Sequence, residues 1–196
     1  MTREMIFALA LGYLLGSIPF GLVLTRVAGK GDIRNVGSGN IGATNVLRTG
    51  SKLLAALTLI LDCLKATAAI LIAKSLFGEE SAAFAATGSM LGHLYPVWLK
   101  FRGGKGAATF LGVLIPLLPI AAIVYAAVWL LLVLTVRISS VAGMSAAVSA
   151  PASAAILHSP FVPMLLGFAV LVLWKHRENI LRLRRGTEPR IGRTKA

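Results

Sequence analysis

The sequence is poor in acidic residues and has almost no cysteine. Only 7 of its 196 residues are Asp or Glu, against 20 Lys and Arg. Its single cysteine, Cys63, excludes an intrachain disulfide. So few carboxylates, without an HxxxH or CxxC pattern, argue against a metal site of ordinary type. No GxSxG elbow is present, so a Ser-His-Asp hydrolase is unsupported and we expect neither metal nor cofactor.

The chain is instead rich in apolar residues. Hydrophobic residues make up 57% of it, and the mean hydropathy is +0.82. These values predict an all-α fold, a polytopic membrane helix bundle forming one domain over residues 1–196. The net charge of +13 is a weak argument for nucleic acid, because the cations lie between the spans and in a basic cytoplasmic tail at residues 189–196.

The hydrophobic runs predict seven transmembrane helices. The run at 106–136 would measure about 46 Å as one helix, too long for a hydrocarbon core of about 30 Å. Pro116 and Pro119 interrupt it, so we divide it into two short spans. The seven predicted spans are 5–27, 53–77, 82–99, 107–117, 120–136, 140–157 and 161–174.

The distribution of cations predicts the orientation of these spans. With the N-terminus outside, most Lys and Arg fall on the cytoplasmic side, including those of the C-terminal tail, and the acidic turn with Glu79 and Glu80 falls outside. Counting 106–136 as one span would place the basic C-terminus outside. Three polar segments are then expected on the cytoplasmic face: residues 37–48, 92–109 and 176–188.

The first polar segment, GSGNIGATNVLR, places small hydrogen-bonding residues among glycines. Glycines allow backbone amides to approach an anion, and an arginine fork suits phosphate. A flexible linker is the alternative, but it would not need so many amide and hydroxyl side chains. The candidate ligands are Ser38, Asn40, Thr44, Asn45 and Arg48.

The second polar segment contains a Gly-Gly-Lys-Gly sequence just before a predicted helix. Free amides and the helix dipole at such a position favour phosphate, although no P-loop pattern is present and a tight turn explains the sequence equally well. His93, at the end of the third span, is more often structural in such a place. The candidates here are His93, Gly103, Gly104, Lys105 and Gly106.

The third polar segment begins at His176, which follows an interfacial tryptophan. An imidazole with an ordinary pKa near 6.5 can accept a proton at cytoplasmic pH, although an interfacial role without chemistry is also open. Asn179 and Glu188 follow in the same segment. In the second span, Asp62 and Lys65 are three residues apart, on one helix face, and we expect an internal structural pair more than a proton relay.

Together, the three segments resemble the signature motifs of the bacterial acyl-phosphate:glycerol-3-phosphate acyltransferase family. The first segment resembles GSGNxGATNxxR through Gly37, Ser38, Gly39, Asn40, Gly42, Ala43, Thr44, Asn45 and Arg48. The second resembles GHxxPxxLxFxGGKGxAT through Gly92, His93, Pro96, Leu99, Phe101, Gly103, Gly104, Lys105, Gly106, Ala108 and Thr109. The third resembles HRxNIxRLxxGxE over residues 176–188. GSIPFG at 16–21 and the Asp62/Lys65 pair also look familial.

The resemblance implies a bacterial inner-membrane enzyme of phospholipid biosynthesis that moves a fatty acyl group from acyl phosphate to the 1-hydroxyl of glycerol 3-phosphate, giving lysophosphatidate and phosphate. Ser38, Asn40, Thr44, Asn45 and Arg48 would then bind the acyl phosphate. Glycerol 3-phosphate would be bound by His93, Gly103, Gly104, Lys105, Gly106 and Glu188. Ser38, Arg48, Lys105, His176 and Asn179 would form the catalytic set. An organic-phosphate transporter is the alternative, because it would share a basic pocket and apolar helices.

Overall fold

The computed structural model describes residues 2–192, so residues 193–196 of the predicted basic tail lie outside the described part. Over that part, the structure is entirely helical, with no strand, which confirms the all-α class. The α-helices are α1 (Arg3–Gly16), α2 (Phe20–Val27), α3 (Ala43–Val46), α4 (Lys52–Phe77), α5 (Ala82–Leu94), α6 (Ala107–Leu117), α7 (Pro119–Thr135), α8 (Ser139–Ile156), α9 (Val162–Lys175) and α10 (Arg177–Arg184).

These helices begin and end within a few residues of the predicted spans, except in the third span and in the first, which the next paragraph describes. The third span is shorter than predicted because α5 ends at Leu94, just before the Tyr95–Pro96 pair, where the proline disfavours helical backbone at the preceding residue. The predicted break near Pro116 and Pro119 is present, with Leu118 between α6 and α7 in a non-helical conformation. The number of helices that cross a membrane stays a prediction.

The first span was predicted to be one helix, and this is wrong: it consists of two helices, α1 and α2. The chain leaves helical geometry between Gly16 and Phe20, at Pro19, which has no amide donor. The carbonyls freed there are bound by distant side chains: Trp98 Nε1 donates to Ser17 O at 2.9 Å, and Lys65 Nζ donates to Ile18 O at 2.8 Å. Such compensation is needed because an unpaired carbonyl in lipid costs several kcal/mol.

The chain divides into two compact units, Met1–Leu117 and Leu118–Ala196. In the first, α1 packs against α5 and α4 packs against α6. The α1–α5 contact is close because glycines line both helices: a Cβ on Gly12 or Gly16 would overlap the backbone of α5, and one on Gly88 or Gly92 would overlap that of α1. Small residues four apart allow this close approach in membrane helices. The prediction of a single membrane domain stays a prediction.

In the second unit, α8 packs against both α7 and α9. The buried face of α8 consists mainly of small side chains, which include Ala142, Ala146, Ala150 and Ala154. Small side chains again let neighbouring helices come close. After α9, His176 connects directly to α10.

Large apolar side chains cover much of the outer surface of the helices. Leu76 and Ile123, for example, are 66% and 69% exposed. By length and composition, Arg3–Val27, taken across its break, and Lys52–Phe77 qualify as membrane spans, and α6, α7 and α9 are shorter apolar helices. An exposed apolar surface of this extent is suited to lipid rather than water.

Candidate active site

Asn45 is the structural centre of the first polar segment. Its side chain is 2% exposed. The amide Nδ2 donates to the carbonyls of Ile33, Val36 and Asn40 at 3.0, 2.9 and 2.8 Å. Its Oδ1 accepts hydrogen bonds from the amide of Ser38 at 3.1 Å and from the hydroxyl of Ser38 at 3.3 Å. Asn45 therefore has a scaffolding function in this segment, and its predicted direct contact with a ligand stays a prediction.

The candidate ligands Ser38, Thr44 and Arg48 are exposed on the outside of the same segment. Arg48 lies directly over Gly37: a Cβ at Gly37 would overlap its guanidinium, and the φ of +55° at Gly37 is in the left-handed region. Glycine is therefore required there for both space and conformation. The side-chain oxygen of Asn40 accepts from the amide of Gly42 at 2.8 Å, so Asn40 also shapes the loop.

A small apolar core holds this segment against the helices. It consists of Leu22 on α2, Ile33, Ile41 and Val46 from the segment and its approach, and Ala55 on α4. Burial of such side chains contributes roughly 25 cal/mol per Å². The exposed hydroxyls and guanidinium are therefore presented by a packed loop rather than by a free linker, which answers the alternative raised from the sequence.

The second polar segment folds back on the end of α5. The amides of Gly103 and Gly104 donate to the carbonyls of Leu94 and His93, at 3.2 and 3.0 Å. These two amides cap the helix and are already engaged, which corrects the expectation that all four residues of Gly103–Gly106 offer free amides to a phosphate. Lys105 follows, half-buried, and α6 then begins at Ala107. The assignment of this loop to a phosphate stays a prediction.

The glycines of this loop also make room for His93. A Cβ on Gly103 would overlap the carbonyl of His93, and a Cβ on Gly104 would overlap the Nε2 edge of its ring. His93 is 4% exposed.

In the first turn of α6, the Thr109 hydroxyl is fully buried and has no hydrogen-bond partner within residues 2–192.

The Asp62–Lys65 pair expected from the sequence is present and buried. Lys65 Nζ lies 2.7 Å from Asp62 Oδ1, and the two side chains are 2% and 4% exposed. The same ammonium contacts the carbonyl of Ile18 at 2.8 Å and Nδ1 of His93 at 3.0 Å. The pair therefore also connects the break in the first span to the end of α5.

In the second unit, His176 is 4% exposed and caps α9. Its Nδ1 lies 2.8 Å from the carbonyl of Val172. A carbonyl only accepts, so this contact requires a proton on Nδ1. In the neutral ring, Nε2 then has the lone pair, as a general base requires.

Glu188 is bound within the second unit by three donors. Ser140 Oγ and Asn179 Nδ2 donate to its Oε1 at 2.6 and 2.5 Å, and Arg182 Nε donates to its Oε2 at 2.7 Å. Burial raises the pKa of Glu188, but these hydrogen bonds outweigh burial and hold the pKa below its ordinary value. The structure thus gives Glu188 a role in fixing Asn179, and its predicted contact with glycerol 3-phosphate stays a prediction.

The structure brings some of the predicted site residues together. Ser38, Asn45 and Arg48 share one loop, His93 contacts Gly104, and Asn179 contacts Glu188. Sequence reasoning missed Ser140, because its partner is 48 positions away and an isolated serine before an apolar run resembles an ordinary helix start. Among the residues described, no group of three or more His, Cys, Asp or Glu side chains is arranged to hold a metal ion.

Comparison with known proteins supports the family suggested by the motifs. The family model described as glycerol-3-phosphate acyltransferase matches residues 6–186. A glycerol-3-phosphate acyltransferase of Mesorhizobium japonicum is 56% identical over 193 residues, covering 98% of each chain. One from Rhodopseudomonas palustris is 56% identical over 191 residues, covering 97% of each.

Two solved structures are also similar to the chain. They are crystal structures of PlsY (YgiH), described as an integral membrane glycerol 3-phosphate acyltransferase. Its glycerol 3-phosphate form has a TM-score of 0.90 and 42% identity, covering 96% of both chains. Its lysophosphatidic acid form has a TM-score of 0.87 and 40% identity, covering 96% of this chain and 95% of the other.

Proposed function

Since the chain belongs to the glycerol-3-phosphate acyltransferase family, we propose that it transfers a fatty acyl group from acyl phosphate to the 1-hydroxyl of sn-glycerol 3-phosphate. The products are lysophosphatidate and inorganic phosphate, in the first acylation step of phospholipid biosynthesis. The observation that carries the proposal is similarity over nearly the full length to glycerol-3-phosphate acyltransferases, at 56% identity. It favours an enzyme over an organic-phosphate transporter.

Acyl phosphate as donor suits the residues of the three polar segments. Its phosphate is a good leaving group, so the protein need not supply a covalent nucleophile. The hydroxyl oxygen of glycerol 3-phosphate attacks the carbonyl carbon, an ester bond forms, and the bond to the phosphate oxygen breaks with its electrons going to phosphate. The protein has to hold two anions against their repulsion and stabilise the carbonyl oxyanion.

Ser38, Thr44 and Arg48 are assigned to the head group of the acyl phosphate. All three are exposed on one packed loop, and the guanidinium of Arg48 can bind phosphate oxygens through two parallel N–H groups. Lys105 is assigned to glycerol 3-phosphate. A Lys105→Ala variant should therefore raise the Michaelis constant for glycerol 3-phosphate by about tenfold or more, because hydrogen bonds to charged groups contribute about 1.5–3 kcal/mol. A near-normal constant would contradict this assignment.

His176 is assigned as the base that accepts the hydroxyl proton at Nε2, supported by its Nδ1 contact with Val172. Asn179, fixed by Glu188, is assigned to orient the site. A His176→Gln variant should lower kcat by about a hundredfold or more, the usual contribution of general base catalysis. If rate and pH profile persist in that variant, a substrate phosphate accepts the proton instead.

The decisive experiment uses purified protein with labelled glycerol 3-phosphate. Labelled lysophosphatidate should form with acyl phosphate and not with acyl-CoA or acyl carrier protein. Absence of product with acyl phosphate, or equal product with acyl-CoA, would refute the proposed donor. Uptake of labelled glycerol 3-phosphate into sealed vesicles without product would instead support the transporter.

We further propose seven membrane spans in a bacterial inner membrane, with the N-terminus outside and the polar segments at the cytoplasmic face. The positive-inside distribution of Lys and Arg supports this orientation. Single cysteines placed in the turn at 78–81 and in the tail at 189–192, in a chain with Cys63 replaced, should react with an impermeant reagent from opposite sides. Reaction of both from the same side would contradict the seven-span topology.

A further inference from the structure

The buried Lys65 side chain has no role in the reaction as proposed so far. Its ammonium has three N–H groups, and three acceptors lie within reach: Ile18 O at 2.8 Å, Asp62 Oδ1 at 2.7 Å and His93 Nδ1 at 3.0 Å. Two of these atoms, a carbonyl oxygen and a carboxylate oxygen, can only accept. The third N–H is therefore directed at the imidazole of His93.

This contact determines which nitrogen of His93 has the proton. A charged ammonium donates and cannot accept, so Nδ1 must present its lone pair, and the ring proton lies on Nε2. The opposite arrangement needs a neutral Lys65 amine, with its proton moved to Asp62 or to His93. The 2.7 Å contact between Lys65 Nζ and Asp62 Oδ1 is instead that of an ion pair, in which Lys65 is the closest cation to Asp62. His93 itself would not replace that cation at hydrogen-bond distance, since its Nδ1 lies 3.8 Å from Asp62.

The protonated edge of His93 faces the Gly103–Gly106 loop. Nε2 lies in the space that a Cβ on Gly104 would occupy, and the amide of Gly104 donates to the carbonyl of His93 at 3.0 Å. Phosphate oxygens at neutral pH are mainly acceptors, so an N–H at this edge attracts phosphate and a lone pair would repel it. The tautomer of His93 thus decides whether this edge is suited to phosphate.

We propose that Lys65 is a positioning residue that fixes His93 as the Nε2–H tautomer, and that this N–H donates to the phosphate of glycerol 3-phosphate at the Gly103–Gly106 loop. The ligand part of this inference rests on the proposed function, which assigns the loop to that substrate. Asp62 contributes by keeping Lys65 charged. The buried pair is thereby connected to substrate binding through one imidazole ring.

The direct test is nitrogen NMR of protein labelled with ¹⁵N-histidine at neutral pH. The chain has only three histidines, and the spectra of the His93→Gln and His176→Gln variants assign their signals. His93 should have its proton on Nε2, whereas His176, which donates from Nδ1 to Val172, should show the opposite tautomer. Glycerol 3-phosphate should shift the Nε2 signal of His93, and glycerol should not. A proton on Nδ1 of His93, on both nitrogens, or no response to glycerol 3-phosphate would overturn the proposal.

A pair of variants tests the role of Lys65. Lys65→Met removes the N–H donors, so His93 should become a mixture of tautomers, and the Michaelis constant for glycerol 3-phosphate should rise about tenfold with a much smaller change in kcat. Thr67→Val is the matched control: Thr67 lies two residues further along α4 and donates to Gly112 O at 2.7 Å, away from His93. It should leave the tautomer and the constant unchanged. An unchanged tautomer in Lys65→Met would overturn the positioning role, and if that variant does not fold, the wild-type spectrum decides.

The two proposals fail in different ways. If the protein transfers no acyl group while His93 shows the Nε2–H form and responds to glycerol 3-phosphate, the proposed reaction fails and the role of Lys65 stands. If the enzyme is active and His93 has its proton on Nδ1, only the role of Lys65 fails.

Discussion

The scaffolding role of Asn45 leads to a sharp prediction for Asn45→Asp. The substitution keeps the shape of the side chain but replaces an amide donor by a carboxylate oxygen beside three carbonyls, those of Ile33, Val36 and Asn40. The amide has two N–H groups for these three acceptors, so two to three hydrogen bonds are lost at about 1 kcal/mol each. The free energy of opening of the loop should fall by about 2–3 kcal/mol, which corresponds to about a hundredfold in the opening equilibrium.

Hydrogen–deuterium exchange of peptides covering residues 33–49 measures this opening. Exchange in the Asn45→Asp variant should be about a hundredfold faster than in the wild type, while exchange in α8 and α9 should not change. The matched control is Asn40→Asp, which puts the same charge in the same loop, where the side-chain oxygen only accepts from Gly42. It should leave exchange close to the wild-type rate.

Two results would refute the reasoning. Equal exchange in both variants would mean that added charge, rather than lost donors, opens the loop. Normal exchange in Asn45→Asp together with lost acyl transfer would mean that Asn45 contacts the substrate directly, as the motif resemblance implies, and does not act as a scaffold.

Three other predictions follow from contacts in the two units. Glu188→Gln should lower the free energy of unfolding by about 1–2 kcal/mol at pH 7. The folded-state pKa of Glu188 lies below 4.5, so the contribution of its carboxylate to the free energy of unfolding is present above pH 4.5 and is lost as the pH falls through the folded-state pKa. The difference in melting temperature between wild type and Glu188→Gln should therefore shrink from pH 7 to pH 4, and a constant difference would contradict this. Gly104→Ala should displace the ring of His93 and raise the Michaelis constant for glycerol 3-phosphate. Gly167→Ala, which places a methyl group in open space on α9, should leave this constant unchanged. Equal Michaelis constants in the two variants would refute a role for the contact between Gly104 and His93. Gly92→Ala should lower the melting temperature by several degrees by separating α1 from α5, again compared with Gly167→Ala, and an unchanged temperature would argue against close packing.

The helices could be predicted because their signal is local. Long apolar runs and the prolines at 116 and 119 are sufficient to place most of the helix ends within a few residues. The break at Pro19 was missed although the proline was visible, because a single proline within an apolar run does not always divide a span. What stabilises this break, Lys65 and Trp98, lies 47 and 81 positions away from the carbonyls it binds.

The types of residue in the candidate site could be predicted from the sequence, but the role of each residue could not. Glycines spaced among small donors marked the first and second polar segments, and the structure places Ser38 and Arg48 on one exposed loop. Sequence cannot tell which asparagine faces outward and which is buried, because that depends on carbonyls oriented by the folded loop. For the same reason the sequence predicts the amides of Gly103 and Gly104 as ligands, whereas in the structure they donate to carbonyls at the end of α5.

The break in the first span has a consequence for the order in which this protein is made. The residues on both sides of the break are synthesised before Lys65 and Trp98, at a time when neither side-chain donor to the freed carbonyls exists. The carbonyl of Ile18 accepts locally from the amide of Phe20 at 3.2 Å, but it obtains Lys65 as a second donor only when α4 has been made. The carbonyl of Ser17 obtains its donor only when the chain has been made as far as Trp98. Until then, water or lipid head groups must solvate the break. The first span thus reaches its final form only after half of the chain has been synthesised, and its maturation is coupled to that of the loop that follows α5.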